Sequence, residues 1–256
     1  MRPAELAKMF ELEDSYWWFV ARRELVRELL VRHRPGPGVS GLQSRNNVIL
    51  DVGCGTGATL NAIADVGVGA GIDRSPEALR YCRRRGLSRL AVGKAEMLPV
   101  ASESADVVLA LDLLEHIADD GAACRELARV LRPGGVLVVT VPACPSLWSE
   151  HDEALDHLRR YRAARLRRIL VEAGLRIEKL SYLITALLVP ITVLRLIQRI
   201  VPRRKRGPQT AFIIPPAPIN RLLIWLLRLE SSWLRWFNLP AGVSLVAVGR
   251  KGGGGI

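Results

Sequence analysis

The chain has 256 residues, 49% hydrophobic and 24% charged, and a formal net charge of +12. That length supports a sizeable core with an appendage and excludes a disulfide-stapled miniprotein. Cys54, Cys82, Cys124 and Cys144 show no metal-type spacing, and the charged opening segment lacks the apolar stretch of a secretory signal, so free thiols in the cytoplasm are expected.

From the N-terminus, Glu13-Asp14-Ser15-Tyr16-Trp17-Trp18-Phe19 leads into Arg22-Arg23 and a helix running to about Val31. Residues 1–40 are expected to form a helical cap with packed aromatics and a linker around Pro35-Gly36-Pro37-Gly38. Val48 to Gly57 then reads VILDVGCGTG, a buried strand, an acid and three alternating glycines. Gly53, Gly55 and Gly57 let the backbone turn sharply and approach a ligand, and a helix from about Thr56 to Ala64 points its first amides at that ligand. The same run satisfies the relaxed dinucleotide pattern through Gly53, Gly55 and Ala58, so a nicotinamide-dependent oxidoreductase is a rival reading.

A second apolar strand ends at Asp73-Arg74-Ser75, which places an acid 22 residues beyond Asp51, where ribose hydroxyls are read; Ser75-Pro76 also opens a helix. Next come Gly93-Lys94-Ala95-Glu96-Met97-Leu98-Pro99, a fourth strand Ala105–Leu111, and Leu131-Arg132-Pro133-Gly134-Gly135 with a fifth strand to Val141. Five motifs in this order, over about 46–182, resemble the class I S-adenosylmethionine-dependent methyltransferases, whose first motif is usually D/E-x-G-x-G-x-G. The resemblance extends to the ubiquinone/menaquinone-biosynthesis-like group, some of whose members share the WWF…RR run in a leading helix that closes over the cofactor.

The resemblance implies a Rossmann-like, doubly wound, seven-stranded α/β sheet with an antiparallel last strand. It implies S-adenosyl-L-methionine as cofactor, contacted by Asp51, Gly53, Cys54, Gly55, Gly57, Asp73, Arg74, Ala95, Glu96, Leu111 and Asp112. Lys94 departs from the acid common at its position.

On the acceptor side, His116 follows the fourth strand in Asp112-Leu113-Leu114-Glu115-His116, at the carboxyl edge where doubly wound sheets bind ligands. The run resembles an E-x-x-E-H stretch that can hold a divalent ion, which makes Asp112, Glu115 and His116 metal candidates, although no resident metal is read. His151, His157 and Tyr161 cluster after the fifth strand, and the spacing of four from His157 to Tyr161 would put both on one helical face. With His116 they are the catalytic candidates.

The charge is lopsided. Residues 1–158 hold 18 Lys and Arg against 22 Asp and Glu; residues 159–256 hold 19 against 3. Such asymmetry points to an anionic partner. The uncharged stretch Leu180–Leu194 is too short to span a bilayer. After the basic run Pro202–Pro208, a helix over Asn220–Phe237 carries Arg221, Arg228 and Arg235 on one stripe among leucines and tryptophans. Residues 185–240 therefore read as a basic amphipathic insertion, either a lid on the core or an interfacial helix with arginines reaching to phosphates. The aromatics sit among leucines, which argues against nucleic acid. Leu175–Leu183 and Val243–Gly249 supply the last two strands, so residues 41–184 are the cofactor-binding domain and 241–256 the last strand and glycine tail. The expected activity is methylation of a small, hydrophobic or lipid-like acceptor at a membrane surface, with a non-catalytic membrane-binding module as the other rival.

Overall fold

The computed structural model describes residues 3–33, 47–200 and 214–253; the linker at 35–41, the basic run at 202–208 and residues 254–256 lie outside them. Seven strands form one sheet: β1 (Val48–Val52), β2 (Val68–Asp73), β3 (Leu90–Val92), β4 (Ala105–Leu111), β5 (Leu131–Pro142), β6 (Leu175–Leu183) and β7 (Ser244–Lys251). Their order is β3-β2-β1-β4-β5-β7-β6. Strands β1 to β5 pair in parallel, and β7 runs antiparallel to both β5 and β6. The expected Rossmann-like sheet with a reversed last strand is therefore present. The chain leaves β1 in one direction and returns at β4 in the other, and between those two strands their carboxyl ends splay into a crevice.

Strand residues alternate between two apolar layers. Leu50, Val108, Leu137 and Ala247 face helices α5 (Asp120–Val130) and α7 (Ala163–Glu172). Ile49, Val107, Val136 and Val248 face the other way, onto Leu25, Val26, Leu29 and Leu30 of the N-terminal helix α2 (Trp17–Arg32). The segment expected as a cap thus also covers one face of the sheet. A short α1 (Pro3–Leu12) precedes it; α3 (Ala58–Ala62), α4 (Pro76–Arg84) and α6 (Glu150–Ala154) complete the domain. Helix α3 starts two residues later than expected because Gly57, at φ +83°, takes the left-handed turn that precedes it.

Two helices occupy the insertion, α8 (Leu188–Ile200) and α9 (Ala217–Leu234). Pro190 is tolerated because it falls in the first turn of α8, where amides lack helical partners. Glu230 of α9 accepts from the backbone N–H groups of Ile184 and Thr185, and Lys179 of β6 donates to Asn238 Oδ1 at 3.0 Å just beyond α9. Two of the three arginines of the stripe pair within the chain. Arg228 pairs with Glu24 at 2.6 Å and Arg235 with Glu28, both acids lying on α2. Asn220 adds two bonds, accepting from Trp17 N at 3.0 Å and donating to Ser15 O at 2.8 Å. Helix α9 is therefore clasped onto α2 by Arg228, Arg235 and Asn220.

A Cβ on Gly57 would lie 2.6 Å from Leu87 Cδ1 and 3.0 Å from Cys82 Sγ, besides forcing positive φ on an L residue. Gly57→Ala should lower unfolding free energy by about 1–3 kcal/mol in denaturant titration. Unchanged stability would mean that the turn before α3 is not fixed as described.

Candidate active site

The crevice is one cavity of about 1120 Å³, larger than most small-molecule sites. Its floor is the glycine loop. Gly53 and Cys54 both donate to Ile72 O, which ties the end of β1 to β2. Asp73, at the tip of β2, accepts from Gly55 N at 3.0 Å and Ser75 N at 2.8 Å. These bonds fix its carboxylate over the loop and leave each oxygen a further lone pair. Gly53 and Gly55 have φ of +76° and +54°. The closest atom to a Cβ on Gly55 would be Met9 Cε of α1, at 3.0 Å. The loop is thus capped from the N-terminal segment.

Carboxyl groups crowd this end. Asp51 is 3% exposed, and burial pushes its carboxyl up to about 7, against the attraction of Arg22. Arg22, from α2, donates to Asp112 Oδ2, while Thr140 Oγ1 donates to Asp112 Oδ1 at 3.0 Å. Asp112 holds φ at +52°, a strained value for a residue other than glycine. Glu13 is buried as well, accepts from Thr56 Oγ1 and faces Arg85 at 3.4 Å. Burial raises its carboxyl despite those partners.

At the other end lie the histidines. The rings of His116 and His157 meet edge to face, with centroids 4.8 Å apart. His157 Nδ1 lies 3.0 Å from Asp152 Oδ1, and the fully buried Asp152 also accepts from Arg160 Nε at 2.8 Å and Ser149 N at 3.0 Å. Burial alone would raise the Asp152 carboxyl, but the bonds from His157 and Arg160 hold it well below the usual range. Burial pushes the imidazoles of His116 and His151 down to about 4, with Arg195 adding to the effect at His151. Glu115 is fully buried, and among the described residues neither of its carboxyl oxygens has a hydrogen-bond partner. Burial, with Asp112 nearby, pushes that carboxyl well up.

Most of the expected residues converge on this space: Asp51, Gly53, Cys54, Gly55, Asp73 and Arg74 on the loop side, then Ala95 and Glu96. Leu111, Asp112, His116, His151 and His157 follow from the β4 and β5 ends. Lys94 lines the cavity too. Gly57 does not line it and serves the packing of α3 instead. Tyr161 is a correction. It is fully buried away from the cavity, and its hydroxyl donates to Asp120 Oδ2 at 2.8 Å. Residues 157–160 are irregular and Tyr161 forms an isolated bridge with Ala143, so the spacing of four is not a helical one and does not align the two side chains. The metal candidates also change. Asp112 is spent on Arg22 and Thr140, whereas ligand atoms of Glu115, His116 and His157 lie within 4.8 Å of one another and could hold a divalent ion.

Sequence reasoning missed Arg22, Glu13 and Arg160 as parts of the site. Asp152, next to His151 in sequence, binds instead the imidazole five residues on. An acid at that spacing carries no helical signature, because the chain leaves α6 between the two.

Residues 50–139 match a family model described as a methyltransferase domain. A Mycolicibacterium smegmatis protein named as a probable S-adenosylmethionine-dependent methyltransferase is 32% identical over 171 residues, which is 65% of this chain and 62% of that relative. A ubiquinone biosynthesis O-methyltransferase of Azorhizobium caulinodans is 31% identical over 54% of this chain and 61% of its own length. The chain therefore spans less than two thirds of these curated relatives. In fold, it superposes on a methyltransferase solved in complex with the Haloferax volcanii Trm112 activator, with a TM-score of 0.63, 22% identity, and 98% and 97% of the two chains covered. Residues 50–139 are thus similar to a methyltransferase domain, and the strand order and glycine loop give the chain the Rossmann-like fold that such methyltransferases share.

Removing Asp152 would strand the buried Arg160 guanidinium. Asp152→Ala should cost about 3–5 kcal/mol in chemical unfolding, the usual penalty for breaking a buried charge pair. A loss below about 1 kcal/mol would show that the network is not load-sharing in solution.

Proposed function

We propose that the chain methylates an oxygen of a hydrophobic, lipid-like or lipid-linked small molecule drawn from a membrane surface. The observation that carries this reading is the continuity of one cavity from the acidic glycine loop to the His116–His157 pair, walled beyond by Ile184, Leu187, Ile191 and Leu223. The cofactor fits the loop end. Asp73 and, above about pH 7, Asp51 supply negative charge there, which suits a ligand bearing sulfonium and ammonium charge more than the pyrophosphate of a dinucleotide. Asp73 has lone pairs left for the ribose hydroxyls, and Ala95 with Glu96 forms the wall for the base.

When bound, the cofactor supplies a methyl group on positively charged sulfur, a built-in leaving group. The protein's task is then to align the acceptor and take its proton. His157 is the base in this reading. Asp152 fixes its ring through Nδ1 and stabilises the cation formed when the other nitrogen accepts the acceptor's proton. An amine acceptor needs no such base once unprotonated, so the dyad favours oxygen, as in the relatives named O-methyltransferases. The apolar wall favours an acceptor with a hydrophobic body. None of the described helices is long and apolar enough to cross a membrane, so the reading is of peripheral association.

The test is transfer of label from methyl-labelled S-adenosylmethionine into the organic-extractable fraction of a membrane lipid extract. His157→Ala should bind S-adenosylhomocysteine normally yet lose about 10²-fold in turnover. Asp73→Ala should weaken cofactor binding by about 1.5–3 kcal/mol. The carboxyl of Asp51 is ionised only above about 7, so cofactor affinity should fall as pH drops through that value. A chelator should leave turnover unchanged; its abolition by chelator would reassign Glu115, His116 and His157 to a metal. Label confined to water-soluble products would contradict the hydrophobic acceptor.

A further inference from the structure

We propose that the outward face of α8 and α9 inserts into an anionic phospholipid bilayer, and that this docking is coupled to retention of the cofactor through α2. The coupling rests on the functional reading above; the docking does not. Trp225 and Trp233 of α9 and Trp236 just beyond it are 54%, 64% and 78% exposed. Leu222 on α9 and Val193 and Ile197 on α8 extend the same kind of surface. An apolar surface of this extent on a soluble domain marks an interaction site. The clasp ties the two arginines nearest these tryptophans in sequence, Arg228 on α9 and Arg235 just beyond it, to Glu24 and Glu28 of α2.

Charge selects the occupant. The 98 residues from 159 onward hold 19 Lys and Arg against 3 Asp and Glu, and the run Arg203-Arg204-Lys205-Arg206 lies in sequence between the two helices. A second copy of this chain would bring a like charge to the face, whereas an anionic bilayer offers an apolar interior beneath a negative surface. Tryptophans among leucines, with basic residues close in sequence, suit that boundary.

The clasp gives the docking a consequence. Helix α2 carries Trp17, Trp18 and Arg22 into the cavity wall on one side and takes α9 through Glu24, Glu28 and the Asn220 bonds on the other. Whatever immobilises α9 also holds α2 over the cofactor. By linkage, bilayer and cofactor must then favour each other's binding.

The experiment combines co-sedimentation with vesicles of phosphatidylcholine, with and without phosphatidylglycerol, and titration with S-adenosylhomocysteine in the presence and absence of the same vesicles. Wild-type protein should sediment with the anionic vesicles, less so at high salt, and its S-adenosylhomocysteine affinity should rise about fivefold or more on them. The triple variant Trp225→Ser, Trp233→Ser, Trp236→Ser should lose sedimentation at every salt concentration while still binding S-adenosylhomocysteine in solution. Glu24→Ala with Glu28→Ala should keep vesicle binding and lose the affinity gain. Wild-type protein that stays in the supernatant at low salt overturns the docking, as does a triple variant that sediments like wild type. A concentration-dependent dimer in sedimentation velocity, abolished by the tryptophan substitutions, would instead assign the face to a second copy. Vesicle-bound protein with unchanged S-adenosylhomocysteine affinity overturns the coupling alone. No S-adenosylhomocysteine binding under any condition contradicts the functional reading and the coupling, and leaves docking standing.

Discussion

Four carboxyl groups, those of Glu13, Asp51, Asp112 and Glu115, converge near the carboxyl ends of β1 and β4, and the guanidinium of Arg22 stands among them. Burying carboxylates is costly unless a cation compensates or a proton is taken up. Both responses are visible. Asp112 is paired with Arg22, while Asp51 and Glu115 are raised by burial. The cation comes from the N-terminal helix, so the electrostatics of the sheet edge fix where that helix lies. A ligand with positive charge in the same place completes the compensation, which gives the fold's general ligand crevice a preference in charge.

The rest of the architecture follows from the position of α2. One of its faces buries Leu25, Val26, Leu29 and Leu30 on the sheet. Its first turn walls the cavity through Trp17, Trp18 and Phe19, and its glutamates receive the arginines of α9. One helix thus covers the sheet, walls the cavity and anchors α9. The insertion adds exposed apolar side chains, Trp225 and Trp233 among them.

Local chemistry explains which parts were legible in the sequence. The glycine loop and Asp73 were, because positive φ and a fixed acid at a strand tip require particular residues at particular offsets. The limits of β6 were also legible: the resemblance placed the sixth strand at Leu175–Leu183, where it lies. The partner of each charge was not. Arg228 and Arg235 have the same spacing whether they face phosphates or glutamates 204 and 207 residues away, and only the packing of α9 on α2 decides. The pairing of Tyr161 with His157 failed for a related reason: a spacing of four aligns side chains only where the backbone is helical, and here it is not. The orphaned Glu115 left no local trace, because its isolation depends on what the cap excludes.

The central claim is that the acidic glycine-loop crevice selects a sulfonium nucleoside over a dinucleotide. Isothermal titration of the purified chain with S-adenosylmethionine and with NAD tests it most directly. Saturable binding of S-adenosylmethionine near one equivalent, with no heat from NAD under the same conditions, is the result this account predicts. Tight binding of NAD with none of S-adenosylmethionine would contradict it.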